Sequence, residues 1–267
     1  MSDADTQPPV IDTSKPHAAR MYDWYLGGKD NYPVDWAAAE QVQALFPQVP
    51  ELARANRQFM VRAARALAEL GIRQFLDIGT GIPTDPNLHQ VVQAVGPESK
   101  VVYVDNDPIV LRHAQALLTS APEGCTAYLQ ADVREPAKII EAAREILDFD
   151  EPVALSMVAL LHLVPDEHGA LALVRELLAP LPARSHLVLS HATADTDPDT
   201  WNAVADVYRR GGTPVAVRSR AEFAEFFAGL ELLEPGIEFV SDWRPDSPGQ
   251  RQGADLPLYA AIGRKTC

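Results

Sequence analysis

Three aspartates in the middle of the sequence each stand where an apolar run gives way to a polar turn. Asp77 leads into Gly79-Thr80-Gly81, Asp105 ends a second apolar run and Asp132 follows a third. A carboxylate followed by a glycine turn suits a ligand that carries an ammonium group and no phosphate, because glycine lets the main chain approach without a Cβ. S-adenosylmethionine has this character, so the pattern favours a site for it.

Two phosphate-binding turns offer alternative interpretations of the first segment. The NAD fingerprint Gly-x-Gly-x-x-Gly requires a glycine where this chain has Thr84, and a phosphate loop requires Gly-Lys-Ser/Thr, which the sequence does not contain. Both interpretations are therefore weakened. An ordinary strand-to-helix turn stays open as a third, in which Asp107 would cap a helix and Asp132 a loop.

A parallel sheet would place the three aspartates at the ends of successive strands. After residue 71 the sequence alternates between short apolar runs and segments of helical spacing, which is typical of strands joined by crossover helices. There Asp105 could accept hydrogen bonds from the ribose of an adenosine ligand, and Asp132 from its adenine amino group. Strands are predicted at residues 74–78, 101–105, 126–130, 153–159, 186–191, about 231–240 and 258–262. Helices are predicted at residues 86–95, 108–118, 136–147, 167–178, 198–210 and 219–229.

The predicted fold is a doubly wound α/β architecture with a mostly parallel, seven-stranded, Rossmann-like sheet. The last two strands have no long helix between them, so we expect an antiparallel pair at one edge. Residues 16–71 show helical spacing with interruptions and are predicted to form an N-terminal helical cap, and residues 72–267 form the domain that contains the sheet. Residues 1–15 are polar and are predicted to be a flexible tail.

A polar loop interrupts the N-terminal helices. Gly27-Gly28 is followed by Lys29, Asp30 and Asn31, and ordered polar loops are where binding residues tend to lie. Our hypothesis is that this loop folds over the strand ends as a lid, with Tyr22, Lys29, Asn31 and Arg57 lining the cofactor or acceptor pocket. A helix end followed by a solvated turn would explain the same residues.

The charge balance narrows the range of partners. The chain has 37 acidic and 23 basic residues and a net charge of −14, which argues against nucleic acid and against an anionic membrane surface. The N-terminus lacks the basic and apolar regions of a secretory signal, and the apolar runs are shorter than the ~20 residues of a membrane helix. A cytoplasmic location is therefore expected. Cys125 and Cys267 predict neither a disulfide framework nor a metal site.

Residues 72–191 resemble a class I S-adenosylmethionine-dependent methyltransferase, with residues 77–83 as its first motif. The whole chain also resembles a bacterial S-adenosyl methyltransferase family long catalogued as a domain of unknown function. The second resemblance is carried by Pro16-His17-Ala-Ala-Arg20-Met-Tyr22-Asp-Trp-Tyr-Leu-Gly27-Gly28-Lys29-Asp30-Asn31-Tyr32, Arg54-Ala-Asn56-Arg57, Phe75-Leu-Asp-Ile-Gly-Thr-Gly81 and Tyr103-Val-Asp-Asn-Asp-Pro108.

The resemblance implies S-adenosylmethionine as the methyl donor and S-adenosylhomocysteine as the product. Asp77 and the glycine turn would hold the amino-acid end of the donor. Asp105, with Asn106 beside it, would bind the ribose. Asp132 and Val133 would contact the adenine. The resemblance names no methyl acceptor and no oligomeric state.

Methyl transfer requires alignment of the acceptor with the methyl group, and a base where the acceptor must lose a proton. His162 follows the predicted fourth strand and is our candidate general base, while Tyr22 and Tyr32 could orient the acceptor. We expect a small-molecule acceptor with a reacting oxygen or nitrogen, and a protein acceptor stays open. The alternatives are a regulatory protein that binds the cofactor without transferring methyl groups and a nicotinamide-dependent oxidoreductase.

Overall fold

The computed structural model describes residues 12–110, 119–247 and 256–266. Its strands are β1 (Gln74–Ile78), β2 (Lys100–Asp105), β3 (Cys125–Gln130), β4 (Val153–Val158), β5 (His186–Ala192), β6 (Leu230–Leu232), β7 (Glu238–Phe239) and β8 (Leu258–Lys265). Its helices are α1 (Ala18–Tyr25), α2 (Pro33–Leu45), α3 (Val49–Glu69), α4 (Leu88–Val95), α5 (Pro136–Ala143), α6 (Ala170–Leu178), α7 (Pro198–Arg210) and α8 (Arg220–Glu225). Two short 3-10 turns, Leu161–Leu163 and Asp166–His168, follow β4.

The sheet has the order β3-β2-β1-β4-β5-β8-β6, and β7 also pairs with β8. The five strands from β3 to β5 are parallel, whereas β8 runs antiparallel to β5, β6 and β7. This arrangement confirms the predicted mixed α/β fold with a mostly parallel sheet and an antiparallel edge. The predicted helix at 108–118 begins with residues 108–110, and its remainder lies outside the described residues, as do residues 1–11 of the predicted tail.

The strand predicted at about 231–240 is wrong as a single element, because the chain forms two short strands there. Both strands pair with β8, which brings the sheet to eight strands. Pro235 has no main-chain N–H to donate to a ladder, and Gly236 adopts a left-handed conformation with a φ of +87°. The Gly236 amide donates to Leu233 O at 2.8 Å, so the chain turns between β6 and β7.

The sheet separates two hydrophobic clusters, because successive side chains of a strand point to opposite faces. Phe75 of β1 packs in the cluster that contains residues of α1 to α4 and α7. Leu76 and Ile78 pack on the other face with residues of α5, α6 and α8. The N-terminal helices therefore cover one face of the sheet. Within the described ranges, no helix combines the length and the apolar character needed to cross a membrane.

The strand order places a crevice at the carboxyl ends of β1 and β4. β1 lies between β2 and β4, so the connections from the middle of the sheet leave toward opposite edges. In open α/β sheets such a switch point is where ligands bind. Asp77 is next to the last residue of β1, and Asp105 is the last residue of β2.

Candidate functional site

A cavity of about 330 Å³ opens at this switch point. It reaches from the ends of β1, β2 and β3 to the first 3-10 turn after β4, and α1, α3 and the end of α7 close it from the side. The sequence-predicted residues that line it are Tyr22, Arg57, Asp77, Gly79, Thr80, Gly81, Asp105, Asn106, Asp132, Val133 and His162. Lys29, Asn31 and Tyr32 are not part of its wall.

The glycine turn after β1 is held against the neighbouring strands. The amides of Gly79 and Thr80 both donate to Val104 O, at 2.8 and 3.2 Å. Gly79 has a φ of +73°, and a Cβ at this position would lie 2.7 Å from Leu160 Cδ1. Only glycine therefore fits here without a shift of Leu160. Gly81 also has a positive φ, of +68°, but a Cβ added there would have none of the described neighbouring atoms within 4 Å.

Asp77 presents a buried carboxylate to the cavity. Burial raises its pKa to about 6, and the nearby positive charge of Arg57 only partly opposes the shift. Thr80 Oγ1 donates to Asp77 O at 3.0 Å and lies 3.3 Å from Asp77 Oδ2. Within the described part of the chain, no Lys, Arg or His nitrogen lies within 4 Å of this carboxylate. An ammonium group of a ligand would supply the missing positive charge.

Asp105 is fixed by main-chain amides from two directions. Gly81 N donates to its Oδ2 at 2.8 Å, and Asp107 N donates to its Oδ1 at 2.9 Å. A carboxylate oxygen has two lone pairs, so each oxygen can accept a second hydrogen bond from a ligand hydroxyl. Asp107 Oδ1 accepts from Ile109 N at 2.9 Å, in agreement with the helix-capping role considered for Asp107. Burial raises the pKa of Asp105, while the neighbouring amides oppose the shift.

Asp132 forms a two-point pair with a residue that the sequence analysis did not select. Arg134 Nε donates to Asp132 Oδ1 at 2.9 Å and Arg134 Nη2 donates to Oδ2 at 2.6 Å. These hydrogen bonds lower the pKa of Asp132 to about 2, so it is ionised at neutral pH. Asn106 Nδ2 lies 3.5 Å from Asp132 Oδ2, which places both predicted residues on one wall.

Tyr22 belongs to a hydrogen-bond chain that joins α1 and α3 to the sheet. Its hydroxyl donates to Ala53 O and accepts from Asn56 Nδ2, both at 2.9 Å. Ser190 Oγ of β5 donates to Asn56 Oδ1 at 2.6 Å and accepts from Ala159 N at 2.9 Å. Burial raises the pKa of Tyr22 to about 12, so the phenol stays protonated and its proton is engaged.

Arg57 contacts the segment that follows the glycine turn after β1. Its Nη2 donates to Thr84 O at 2.6 Å and to Pro86 O at 2.7 Å. Both contacts use one nitrogen, and an arginine side chain has five N–H donors, so three are left unused by the residues that the structure describes. Arg57 therefore brings a positive charge close to Asp77, at the end of the cavity where an amino-acid ligand group would find both charges.

The loop of residues 27–31 folds back onto α1. Asn31 Nδ2 donates to Asp23 Oδ2 at 2.6 Å and to Gly28 O at 3.2 Å, and Asp30 N donates to Asp23 Oδ2 at 3.0 Å. Asp23 itself lines the cavity. Asn31 thus holds the loop in place around Asp23. The exposed side chain of Lys29 lies outside the cavity wall.

His162 lies in the first 3-10 turn after β4 and lines the cavity. Burial, with a smaller contribution from the charge of Arg218, lowers its pKa to about 4, so the ring is uncharged at neutral pH. Its Nδ1 is buried and has no hydrogen-bond partner among the described residues. The ring centroid of His191 lies 5.6 Å from that of His162, but His191 does not line the cavity.

Several lining residues were not selected from the sequence. Asn56 and His17 stood inside quoted motifs without an assigned role, and Tyr208 of α7 had no local signal at all. His17 Nδ1 lies 3.2 Å from Asp107 Oδ2, which brings the N-terminus of α1 to the end of β2. The Tyr208 hydroxyl lies 3.3 Å from that of Tyr25. Both contacts join segments that are far apart in the sequence.

Residues 4–266 match the model of a family described as S-adenosyl methyltransferase. The chain is similar to a DUF574 family protein from Streptomyces avermitilis MA-4680, with 50% identity and a TM-score of 0.93 over 96% of this chain and 100% of that one. It is also similar to a proposed methyltransferase from Thermobifida fusca YX, with 37% identity and a TM-score of 0.88 over 99% and 100% of the two chains.

The plantazolicin methyltransferase BpumL, solved with a triazolic desmethylPZN analog and S-adenosylhomocysteine, shares the fold at 11% identity. Its TM-score is 0.53, over 93% of this chain and 96% of that one. No curated protein matches this chain.

Proposed function

Because the chain belongs to the S-adenosyl methyltransferase family, we propose that it methylates an oxygen or nitrogen atom of a small molecule bound beside His162. The protein is an enzyme of the methyltransferase class, and its cofactor is S-adenosylmethionine. The observation that carries the acceptor proposal is the cavity itself, which continues from the predicted cofactor-binding residues to His162.

The residues of the cavity fit this cofactor. Asp77 would hold the ammonium group, because it is a buried carboxylate that has no cationic hydrogen-bond partner among the described residues. Arg57 would hold the carboxylate of the same amino-acid group, since donors of its guanidinium remain free for it. When bound, S-adenosylmethionine supplies a methyl group that its sulfonium already activates for transfer.

The adenosine part of the cofactor fits the other predicted residues. Asp105 keeps lone pairs for the two ribose hydroxyls after accepting its main-chain amides. Asp132 and Asn106 offer polar groups to the adenine edge, and the buried side chain of Val133 offers an apolar surface to its ring.

The acceptor would occupy the part of the cavity that these groups leave. Its wall consists of largely apolar side chains together with the ring of His162; it includes Tyr22, Leu26, Leu160, Tyr208 and residues 212–214. A cavity of about 330 Å³ that also holds the cofactor leaves room for a small group. The net charge of −14 disfavours a nucleic acid acceptor. A small organic acceptor, or a small group at the end of a larger molecule, is the class that fits.

His162 is the residue that we expect to contact the reacting atom. General bases work best when their pKa lies near the operating pH, and the pKa of His162 is about 4. We therefore propose that His162 accepts a hydrogen bond from the acceptor and orients it, and that it does not act as a general base that retains the proton of the acceptor. An uncharged ring also avoids repulsion of the positive sulfonium.

A radiolabelled-methyl assay tests this proposal with three panels: small phenols, carboxylic acids and amines; short peptides; and oligonucleotides. The expected result is label transfer to a member of the first panel, at least about tenfold slower in His162→Gln, whereas S-adenosylhomocysteine affinity changes less than about threefold. His186→Gln is the matched control, because burial also lowers the pKa of His186 to about 4 and His186 does not line the cavity. Equal turnover by wild type and His162→Gln, or transfer to peptides or oligonucleotides alone, would overturn the proposal.

A further inference from the structure

A buried arginine lies directly behind the wall that carries His162. Arg218 stands two residues before α8, and only 4% of its side chain is exposed. It ends the segment 211–218, whose residues 212–214 line the cavity. Ala216 N of this segment donates to His162 O at 2.8 Å, so the segment and the turn that carries His162 are joined.

All five N–H donors of Arg218 have partners. Nε and Nη2 donate to Asp166 Oδ1, at 3.2 and 2.6 Å, and Nη2 also donates to Val164 O at 2.9 Å. Nη1 donates to Leu161 O at 2.9 Å and faces His191 Nε2 at 2.7 Å. The guanidinium therefore connects both 3-10 turns after β4 to β5. Removing it would leave two buried carbonyl oxygens without this donor.

The contact with His191 fixes the state of that ring. A guanidinium can only donate hydrogen bonds, so Nε2 of His191 must accept. The proton of the ring then lies on Nδ1, which is 2.7 Å from Ala192 O, an atom that can only accept. Nδ1 of His191 is thus a donor and Nε2 an acceptor, so His191 cannot take up a second proton while Arg218 keeps this contact. Burial lowers the pKa of His191 well below its ordinary value, which agrees with this geometry.

The fixed ring of His191 in turn packs against His162. The two rings meet edge to face, with an interplanar angle of 83°. On its other side His191 contacts two uncharged rings, Phe223 of α8 and Phe226, the residue that follows α8. Asp166 is the anion that contacts Arg218, and 77% of its side chain is exposed. A positive charge on His191 would face both Arg218 and His162, and none of the described residues places an anion beside the two rings.

We propose that Arg218 is the positioning residue of the acceptor site: it locks His191 as the neutral Nδ1–H tautomer and fixes the turn that presents an uncharged His162 to the acceptor. The inference rests on the proposed function, in which His162 contacts the acceptor. It also defines the acceptor further. A neutral His162 ring has one nitrogen that can accept a hydrogen bond. It therefore suits an acceptor that brings its own hydrogen-bond donor, such as a hydroxyl or an amine N–H.

Nitrogen-15 spectra of the histidine rings test the locked state in the full-length protein saturated with S-adenosylhomocysteine. Between pH 5 and pH 8, wild-type His191 should remain the Nδ1–H tautomer and should not titrate. In Arg218→Gln the amide can donate or accept, so we expect the Nε2–H tautomer or a titrating ring. Arg218→Lys keeps a donor-only group and should restore the wild-type signal. A wild-type His191 that titrates, or that carries its proton on Nε2, overturns the proposal even if the glutamine variant fails to fold.

Arg62→Gln is the matched control for loss of a buried arginine. Arg62 donates to the main-chain oxygens of Trp243 and Val240 and does not line the cavity, so its variant should leave the ring spectra unchanged. With an acceptor from the small-molecule panel, Arg218→Gln should raise KM for the acceptor at least tenfold and KM for S-adenosylmethionine less than threefold. Equal changes in both KM values overturn the positioning role. Absence of any small acceptor would contradict the proposed function and leave the ring result intact.

Discussion

Asp77 makes cofactor affinity depend on pH in a direction that the structure determines. Burial raises the pKa of its carboxyl from 3.8 to about 6, so the free protein holds a proton on this group in mildly acidic solution. The ammonium group of S-adenosylmethionine or S-adenosylhomocysteine requires the ionised carboxylate as its partner. We therefore predict that binding releases protons and that affinity rises as the pH rises.

The size of this effect follows from proton linkage. With a pKa of about 6, the fraction of Asp77 that is protonated is about 0.9 at pH 5, about 0.5 at pH 6 and about 0.1 at pH 7. If only the ionised form binds, the dissociation constant of S-adenosylhomocysteine falls about tenfold from pH 5 to pH 7. The folded state binds the proton of Asp77 more tightly than the unfolded state does. The free energy of unfolding of the ligand-free protein therefore falls by about 3 kcal/mol as the pH rises from 3.8 to about 6.

Calorimetric titration in buffers of different ionisation enthalpy measures the affinity and the number of protons released together. Asp77→Asn should bind S-adenosylhomocysteine more weakly and with a smaller pH dependence, because an amide does not ionise in this range and Asp105 remains as the other site carboxyl whose pKa burial raises. Asp132→Asn is the matched control: its pKa of about 2 keeps Asp132 ionised throughout, so this variant should retain the wild-type pH dependence. A wild-type affinity that is constant from pH 5 to pH 7, with no proton release, would refute the role of Asp77.

Three further predictions, made with four variants, test the rest of the site. Gly79→Ala should reduce the free energy of unfolding by about 3 kcal/mol, because its Cβ meets Leu160, whereas Gly81→Ala has open space and should cost about 1 kcal/mol; equal losses in denaturant melts would contradict the steric argument. Asp105→Ala should weaken S-adenosylhomocysteine binding at least about tenfold in calorimetry, the order of one charged hydrogen bond, and unchanged affinity would remove Asp105 from the site. Lys29→Ala should change that affinity less than about twofold, since its side chain lies outside the cavity wall; a larger loss would support closure of the loop over the ligand.

Local patterns predicted the part of the site that depends on strand ends. Asp77 and Asp105 each end an apolar run, and the parallel sheet brings such residues to one edge whatever the rest of the chain does. The same logic failed between residues 231 and 240, where hydrophobic content predicted one strand. Pro235 and Gly236 interrupt the ladder there, and breaker residues outweigh composition when the strand is short.

Contacts across long sequence separations could not be read in this way. Arg218 reaches Asp166 over 52 residues, and Ser190 reaches Asn56 over 134. Nothing in the neighbouring residues distinguishes these side chains from ordinary polar ones. The polar loop after α1 shows the same limit: its composition suggested binding residues, but not that Asp30 and Asn31 hydrogen-bond to Asp23 of the preceding helix. The lid stays a hypothesis, which the Lys29→Ala measurement tests.

The N-terminal motif occurs together with the aspartates of the strand ends because the two are joined by charge. The main-chain amide of Asp107 donates a hydrogen bond to Asp105. Oδ2 of Asp107 lies 3.2 Å from His17 Nδ1 and 3.5 Å from Arg20 Nε. Asp35 of α2 accepts from His17 N at 2.9 Å and lies 3.6 Å from Arg20 Nη1. These groups are largely buried, and a buried charge is tolerated only with its partners in place. The start of α1 and the end of β2 therefore require each other, and residues of α1 and α3 line the cavity at the strand ends.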